Sequence, residues 1–220
     1  MKTIKTIKII LADDHILLRD ALASLVNAFE EFHVIGVAAN GNEVIQLFEK
    51  KSIPHLIILD LNMPAMDGYE TSLWLQQHNP DVKIIILTMF DSEIALIRLL
   101  QVGVKGFLKK DVHPDELKTA LLSVVENGYY YSHRTTGKLA NFFHKSYNTQ
   151  SSIERALLNE KEIEFLKLAS TDLTYKEIAQ RMQLTPRSID GYRDTLFDKL
   201  EVKSRVGLAI FAVKTGIVNF

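Results

Sequence analysis

Five short apolar runs, each followed by an amphipathic stretch, occupy the first 128 residues and constrain the fold more than any other feature of the chain. Ile7 to Ala12, Val34 to Ala39, Leu56 to Asp60, Ile84 to Thr88 and Gly106 to Lys109 are too short for buried helices and suit strands. After the first run, Ile16, Leu18, Leu22, Leu25 and Phe29 recur at helical spacing. Val44, Leu47 and Phe48 follow the second, Tyr69, Leu73 and Gln76 the third, Ile94, Ile97 and Leu100 the fourth, and Leu117, Leu121 and Val125 the fifth. Pro54, Gly103, Pro114 and Gly128 punctuate these segments where elements begin or end. Strands alternating with helices in this way predict an α/β fold, a doubly wound five-stranded parallel sheet with helices on both faces.

That topology assigns a place to residues whose chemistry periodicity does not require. Ligands of open α/β sheets bind outside the carboxyl ends of the strands. Asp13 and Asp14 follow the first strand, Asp60 ends the third, Thr88 ends the fourth and Lys110 follows the fifth, so all five fall on one rim. Three carboxylates brought together repel unless a hard cation with oxygen ligands lies among them, and Mg²⁺ suits carboxylates, waters and phosphate oxygens. A hydroxyl and an ammonium opposite them would meet an anionic oxygen group. Such a rim is a phosphate site built around a carboxylate, with Asp60 as the nucleophile that forms an acyl phosphate. Competing roles exist for single residues: Asp13 or Asp14 could cap the helix near His15, and Phe107 could serve only the core. Nothing in the sequence supports His15 or His55 as a metal ligand.

The remaining chain reads differently. Tyr129 to Tyr131 and a short helical stretch from Lys138 to Phe143 lead into the polar run Ser146 to Ser152, which reads as a linker. From residue 154 onward every segment is helical in pattern. Asn159 with Glu162 and Thr174 with Glu177 form capping-box signatures, and Thr185-Pro186 forms an N-cap with Pro at the first helical position. Two short helices about a three-residue turn, within a set of four, spell helix-turn-helix. The predicted domains are therefore 1–130, a linker over 131–153 and an all-α four-helix domain over 154–220.

Composition excludes several classes. A length of 220 residues, 47% hydrophobic and 24% charged, fits two globular cores. With no cysteine there is no disulfide framework, thiolate metal site or cysteine nucleophile. No apolar run reaches a signal-peptide core or a membrane span, which leads us to expect a cytoplasmic protein.

The segments Leu11-Ala-Asp-Asp14, Ile58-Leu-Asp60-Leu-Asn-Met-Pro64, Asp67-Gly68, Leu87-Thr88 and Gly106-Phe-Leu-Lys-Lys110 resemble the flavodoxin-like receiver domain of bacterial two-component response regulators. The resemblance implies phosphorylation of Asp60 by a sensor histidine kinase. It also implies a Mg²⁺ ion held by Asp14 directly, by Asp13 partly through water, by Asp60 and by the main-chain carbonyl of Asn62. Thr88, Phe107 and Lys110 resemble the switch hydroxyl, the aromatic that turns inward and the phosphate-binding lysine; Lys110 is chosen over Lys109 because the family's lysine lies three residues after its aromatic. Asn62 and Phe90 would flank an attacking water, and a bulky Phe90 implies slow loss of the phosphoryl group.

Leu173-Thr174, Lys176-Glu-Ile-Ala179, Ser188-Ile189, Lys199-Leu200 and Val202-Lys-Ser-Arg205 resemble the LuxR-type helix-turn-helix. Joined to a receiver, they make the chain similar to the NarL/FixJ class of response regulators. The expected function is a phosphorylation-dependent transcriptional regulator, not an enzyme beyond its own phosphoryl transfer and dephosphorylation, that forms a homodimer on activation and binds promoter DNA. A helical wheel from Ile189 turns Arg187, Asp190, Gly191, Asp194 and Asp198 away from the core. Family members often carry basic residues at the positions of Asp190 and Asp194, whereas phosphates repel an aspartate, which suits only cytosine N4. Gly191 weakens its helix by about 1 kcal/mol relative to Ala. Residues 152–220 carry 11 Lys and Arg against 10 Asp and Glu. DNA contact would then rest on Lys176, Arg187, Lys199, Lys203 and Arg205, on the helix start at Thr185 and Ser188, and on a dimer reading two half-sites. Two other classes stay open at this stage: a phospho-switched protein-interaction module whose C-terminal bundle leaves DNA alone, and a metal-dependent phosphohydrolase.

Overall fold

Every residue of β3 (Leu56–Asp60) is buried, and the sheet extends outward from it on both sides. The computed structural model describes residues 6–50, 53–89, 93–133, 135–140, 158–200, 202–215 and 217–218. β1 (Ile7–Ala12) and β4 (Lys83–Thr88) flank β3 in parallel, with Ile10 opposite Ile57 and Leu59 opposite Ile86. β2 (Phe32–Ala38) lies outside β1, and β5 (Gly106–Lys109) lies outside β4. Strands buried on both faces need apolar residues at consecutive positions, which is why these runs are continuous rather than alternating.

The sheet has six strands where the sequence pattern predicts five; the order is β2-β1-β3-β4-β5-β6. The sixth, β6, is the pair Tyr130–Tyr131, which runs parallel to β5 with Gly106 opposite Tyr130. Gly128 ends the preceding helix at φ 89°, and the chain turns there so that Tyr130 N donates to Lys105 O at 2.8 Å. A two-residue strand has no period, so hydrophobic patterning had no means of reporting it.

Helices α1 (Ile16–Asn27) and α5 (Pro114–Asn127) close one face, packing Leu22, Val26, Leu117, Leu121 and Val124 onto Ile9, Leu11, Ile58, Ile85 and Leu87. α2 (Gly41–Lys50), α3 (Gly68–His78) and α4 (Glu93–Gln101) follow β2, β3 and β4. Phe48 of α2 meets Trp74 of α3 edge to face at 5.8 Å. The chain winds one way from β1 to β2 and the other way from β3 onward, so the carboxyl ends of β1 and β3 frame the crevice where such sheets hold ligands.

The chain divides into two units, the first running to Gly137 apart from residues 92–95, which group with the second, from Lys138 onward. Of the predicted linker, Tyr131 belongs to β6, residues 135–140 are helical, and residues 134 and 141–153 lie outside the described residues. The second unit contains α6 (Glu160–Ala169), α7 (Tyr175–Arg181), α8 (Pro186–Lys199) and α9 (Arg205–Lys214) around Phe165, Leu166, Ile178, Ile189, Leu196 and Leu208. Both predicted capping boxes form: Asn159 accepts from Glu162 N, and Thr174 accepts from Glu177 N. Thr185 caps α8 by accepting from Ser188 N, with Pro186 in the first turn. α7 and α8 are joined through Gln183, at φ 54°, and Leu184 N returns to Ala179 O at 2.8 Å. Among the described residues no helix is long and apolar enough to cross a membrane.

Candidate functional site

The predicted rim assembles at the carboxyl ends of β1, β3, β4 and β5. Asp13 and Asp60 are buried, and the Lys110 ammonium sits between them at 2.8 Å from Asp13 Oδ2 and 2.8 Å from Asp60 Oδ2. Lys110, not Lys109, is therefore the lysine of the site. Its backbone N donates to the Thr88 carbonyl at 3.1 Å, which ties the end of β5 to the end of β4. Thr88 is buried beside them.

The loop after β3 is set by close packing. Gly68 N donates to Leu61 O at 2.9 Å, and a Cβ on Gly68 would lie 2.3 Å from the Asp60 carbonyl oxygen. Only glycine lets the start of α3 come so near the backbone of Asp60. Asp67 caps that helix in a reciprocal box with Glu70, which the sequence reading passed over although the Asp-x-x-Glu spacing was present.

One ligand atom each from Asp13, Asp14, His15 and Asp60 lies within 4.8 Å of the others. Asp14 Oδ1 is buried without a hydrogen-bond partner among the described residues. His15 Nδ1 stands 2.9 Å from it, but that nitrogen is engaged by Asp13 Oδ1 at 3.0 Å. His15 thus lines the rim, whereas His55 is far along the chain fold, its Nδ1 accepting from Lys8 N at 2.9 Å. Three carboxylates gathered against one ammonium fit a hard divalent cation. Asn62 contributes its backbone N–H to Asp60.

Burial pushes the Asp60 carboxyl above its ordinary value, and the Lys110 ammonium offsets only part of that. Burial pulls Lys110 down, yet the hydrogen bonds from Asp13 and Asp60 outweigh it and hold the ammonium above its ordinary value. The site is thus an ammonium firmly charged beside a nucleophile whose negative charge is poorly solvated, a state that a second cation or a phosphoryl group would relieve.

Phe107 is buried. With Thr88, Leu96, Tyr130 and His133 it lines a cavity of about 480 Å³. Phe90, expected to shield the phosphoryl group, lies outside the described residues.

In the second unit, Arg187, Asp190, Gly191, Asp194 and Asp198 are all exposed on α8 while Ile189 and Leu196 are buried, as the wheel from Ile189 predicts. Lys176, Arg187 and Lys203 are exposed and accessible to a polyanion. Two other expected phosphate contacts, Lys199 and Arg205, are engaged within the domain. Lys199 pairs with the buried Glu162 at 2.9 Å, and Arg205 donates to the carbonyls of Ala169 at 2.9 Å and Thr171 at 2.7 Å. Charge type and helix position give no sign of these internal pairings, which only the tertiary packing shows. Sequence reasoning also missed Arg193, which is hydrogen-bonded to Asp190 Oδ1 at 2.8 Å and to Asp194 Oδ1 at 2.9 Å. The spacing of Asp190 and Arg193, three apart on a helix, was the available signal.

Comparison with known proteins agrees with this arrangement. The family profile "Response regulator receiver domain" matches residues 9–122, and "Bacterial regulatory proteins, luxR family" matches residues 156–212. The chain is 30% identical to the oxygen regulatory protein NreC of Staphylococcus haemolyticus, covering 97% of this chain and all of that one. It is also 30% identical to the transcriptional regulatory protein LnrK of Bacillus subtilis, with the same coverage. Its fold resembles that of RcsB from Salmonella enterica serovar Typhimurium, a structure bound to the promoter rprA with the phosphomimetic BeF₃⁻, at a TM-score of 0.70 and 23% identity over 94% of this chain and 98% of that one. Receiver and LuxR-type helix-turn-helix in one chain make this protein a two-component response regulator of the NarL/FixJ class, a DNA-binding transcriptional regulator.

Proposed function

We propose that Asp60 accepts a phosphoryl group from the phosphohistidine of a sensor kinase and that the resulting acyl phosphate controls dimerisation and promoter binding. The observation that carries this reading is the Lys110 ammonium, 2.8 Å from both Asp13 and Asp60, on a rim where Asp14 and His15 bring further ligand atoms within 4.8 Å of theirs.

In the transfer an Asp60 oxygen forms a bond to phosphorus while the phosphorus–nitrogen bond of the donor breaks. The imidazole nitrogen keeps that electron pair and takes a proton. Lys110 faces the charge on the phosphoryl oxygens, and Thr88, next to it at the end of β4, offers a hydroxyl to the same group. Mg²⁺ held by Asp13, Asp14, Asp60 and the Asn62 carbonyl would supply the remaining positive charge. The chain's own chemistry ends with this transfer and with hydrolysis of the acyl phosphate, in which water bonds to phosphorus, the bond to the Asp60 oxygen breaks and inorganic phosphate leaves, so we propose no turnover of an external substrate. Movement of Thr88 and Lys110 toward the phosphoryl group then biases the β4 and β5 ends between two arrangements, and the C-terminal helices pair on DNA half-sites.

The test is to incubate the full chain with Mg²⁺ and acetyl phosphate and measure its intact mass. One added phosphoryl group, absent in Asp60→Ala, is the expected result. A phosphoryl group that persists in Asp60→Ala overturns the assignment.

A further inference from the structure

The exposed face of α8 carries residues that helix stability does not favour. Asp190 and Asp194 lie one turn apart, where like charges repel. Asp194 and Asp198 sit in the C-terminal half of the helix, the end that favours cations. Gly191, between Asp190 and Asp194 in the chain and exposed like them, is the poorest helix former after proline. A Cβ built on Gly191 would have nothing within 4 Å, so neither packing nor backbone conformation demands glycine there. The rest of α8 obeys every local rule: Thr185 caps it, Pro186 opens it, and Ile189 and Leu196 are fully buried. The departure is confined to one face, which points to a partner outside the chain.

Arg193 determines what that face presents. It lies 2.8 Å from both Asp190 Oδ1 and Asp194 Oδ1, with its guanidinium 5.7 Å from the centre of the Tyr175 ring of α7. The clamp screens the two carboxylates from each other and fixes their directions, while their side chains remain 55% and 63% exposed. Their outward oxygens are acceptors only. In the major groove, guanine and thymine offer acceptors at the heteroatoms such an oxygen would meet, and adenine pairs a donor with the acceptor N7. Cytosine alone offers only the N4 donor. An aspartate has a short reach, so using it there requires the helix axis to come close to the base edges. Gly191 removes the side chain that would hold the helix away.

We propose that Asp190 and Asp194, positioned by Arg193, read cytosine in the major groove, and that Gly191 is the point of closest approach between α8 and the duplex. This rests on the reading that the C-terminal domain binds duplex DNA through α8. It deepens that reading by making the acidic face a source of sequence choice, while Lys176, Arg187 and Lys203 supply the contact with phosphates. Arg193 is a positioning residue, and the carboxylates are the specificity-determining groups.

The test selects bound duplexes from a random-sequence pool with the full chain in Mg²⁺ and BeF₃⁻, then repeats the selection with Asp190→Asn, Asp194→Asn, Gly191→Ala and Gly191→Leu. Thermal unfolding of each variant establishes that it is folded. The unmodified chain should enrich a motif with C·G pairs at fixed positions. Asparagine has the size of aspartate but pairs with adenine N6 and N7, so each Asn variant should lose roughly tenfold or more for its cytosine and shift its preference there toward adenine. Affinity for unrelated duplex at low salt should rise in both Asn variants, because a charge facing the phosphates is gone. Gly191→Ala should unfold at a higher temperature than the unmodified chain, and Gly191→Leu should lose at least tenfold in affinity for the selected motif while keeping low-salt binding to unrelated duplex. A motif that is unchanged in both Asn variants, or full affinity in Gly191→Leu, overturns the inference and leaves DNA binding intact. Failure of the unmodified chain to retain any duplex overturns both the inference and the reading beneath it.

Discussion

The two halves of this regulator each hold one cation between two aspartates, and the geometry is nearly the same. Lys110 lies 2.8 Å from Asp13 and 2.8 Å from Asp60; Arg193 lies 2.8 Å from Asp190 and 2.8 Å from Asp194. What separates them is water. The side chains of the first trio are 6%, 2% and 3% exposed, whereas Arg193 is 29% exposed and its aspartates more than half. Distance alone therefore says little about what an ion pair does. In the receiver the charges are taken out of water, each depends on the others, and adding or removing one alters the whole site. On α8 the charges are solvated, the clamp adds little stability, and its value lies in the direction it gives two carboxylates.

The comparison can be broken by substitution. The largest effect belongs to Asp60→Ala, which removes the phosphoryl acceptor: acetyl phosphate should add no phosphoryl group, as read by intact mass. Lys110→Ala comes next, since it leaves Asp13 and Asp60 buried without their ammonium. It should lower the unfolding free energy in urea by about 3–5 kcal/mol, with part recovered on adding Mg²⁺. Glu162→Ala is the intermediate case, because it removes both an N-terminal cap of α6 and the buried partner of Lys199 at 2.9 Å. We expect a loss of about 3 kcal/mol, confined to the unfolding of the C-terminal domain. Arg193→Ala should change stability by no more than about 0.5 kcal/mol. If Arg193→Ala costs as much as Lys110→Ala, exposure is not what divides the two trios.

The sequence carried the receiver's architecture because its central strands β1, β3 and β4 hold continuous apolar runs, and β3 and β4 end on Asp60 and Thr88. Leu56 to Asp60 shows both properties in five residues. The helix starts at Asn159, Thr174 and Thr185 were equally legible, since a cap and its partner lie within four positions along the chain. What escaped was of two kinds. β6 is only two residues long, below any period. The pairing of Lys199 with Glu162 spans 37 residues, and no local pattern distinguishes a lysine held by a buried carboxylate from one that awaits a phosphate. The rim itself was found without local pattern because parallel topology alone sends Asp13, Asp60, Thr88 and Lys110 to the same end of the sheet. His15 was set aside since one histidine after two aspartates carries no signal of direction; its ring turns out to reach both carboxylates.

The central claim is that the buried trio governs what the exposed face does. The direct test is retention of promoter DNA by the full chain in a gel shift at two salt concentrations, with and without acetyl phosphate and Mg²⁺, for the unmodified protein and for Asp60→Ala. The account predicts binding that strengthens with the phosphodonor, weakens with salt and loses its response to the phosphodonor in Asp60→Ala. Phosphorylation at Asp60 that leaves DNA retention unchanged at both salt concentrations would contradict it.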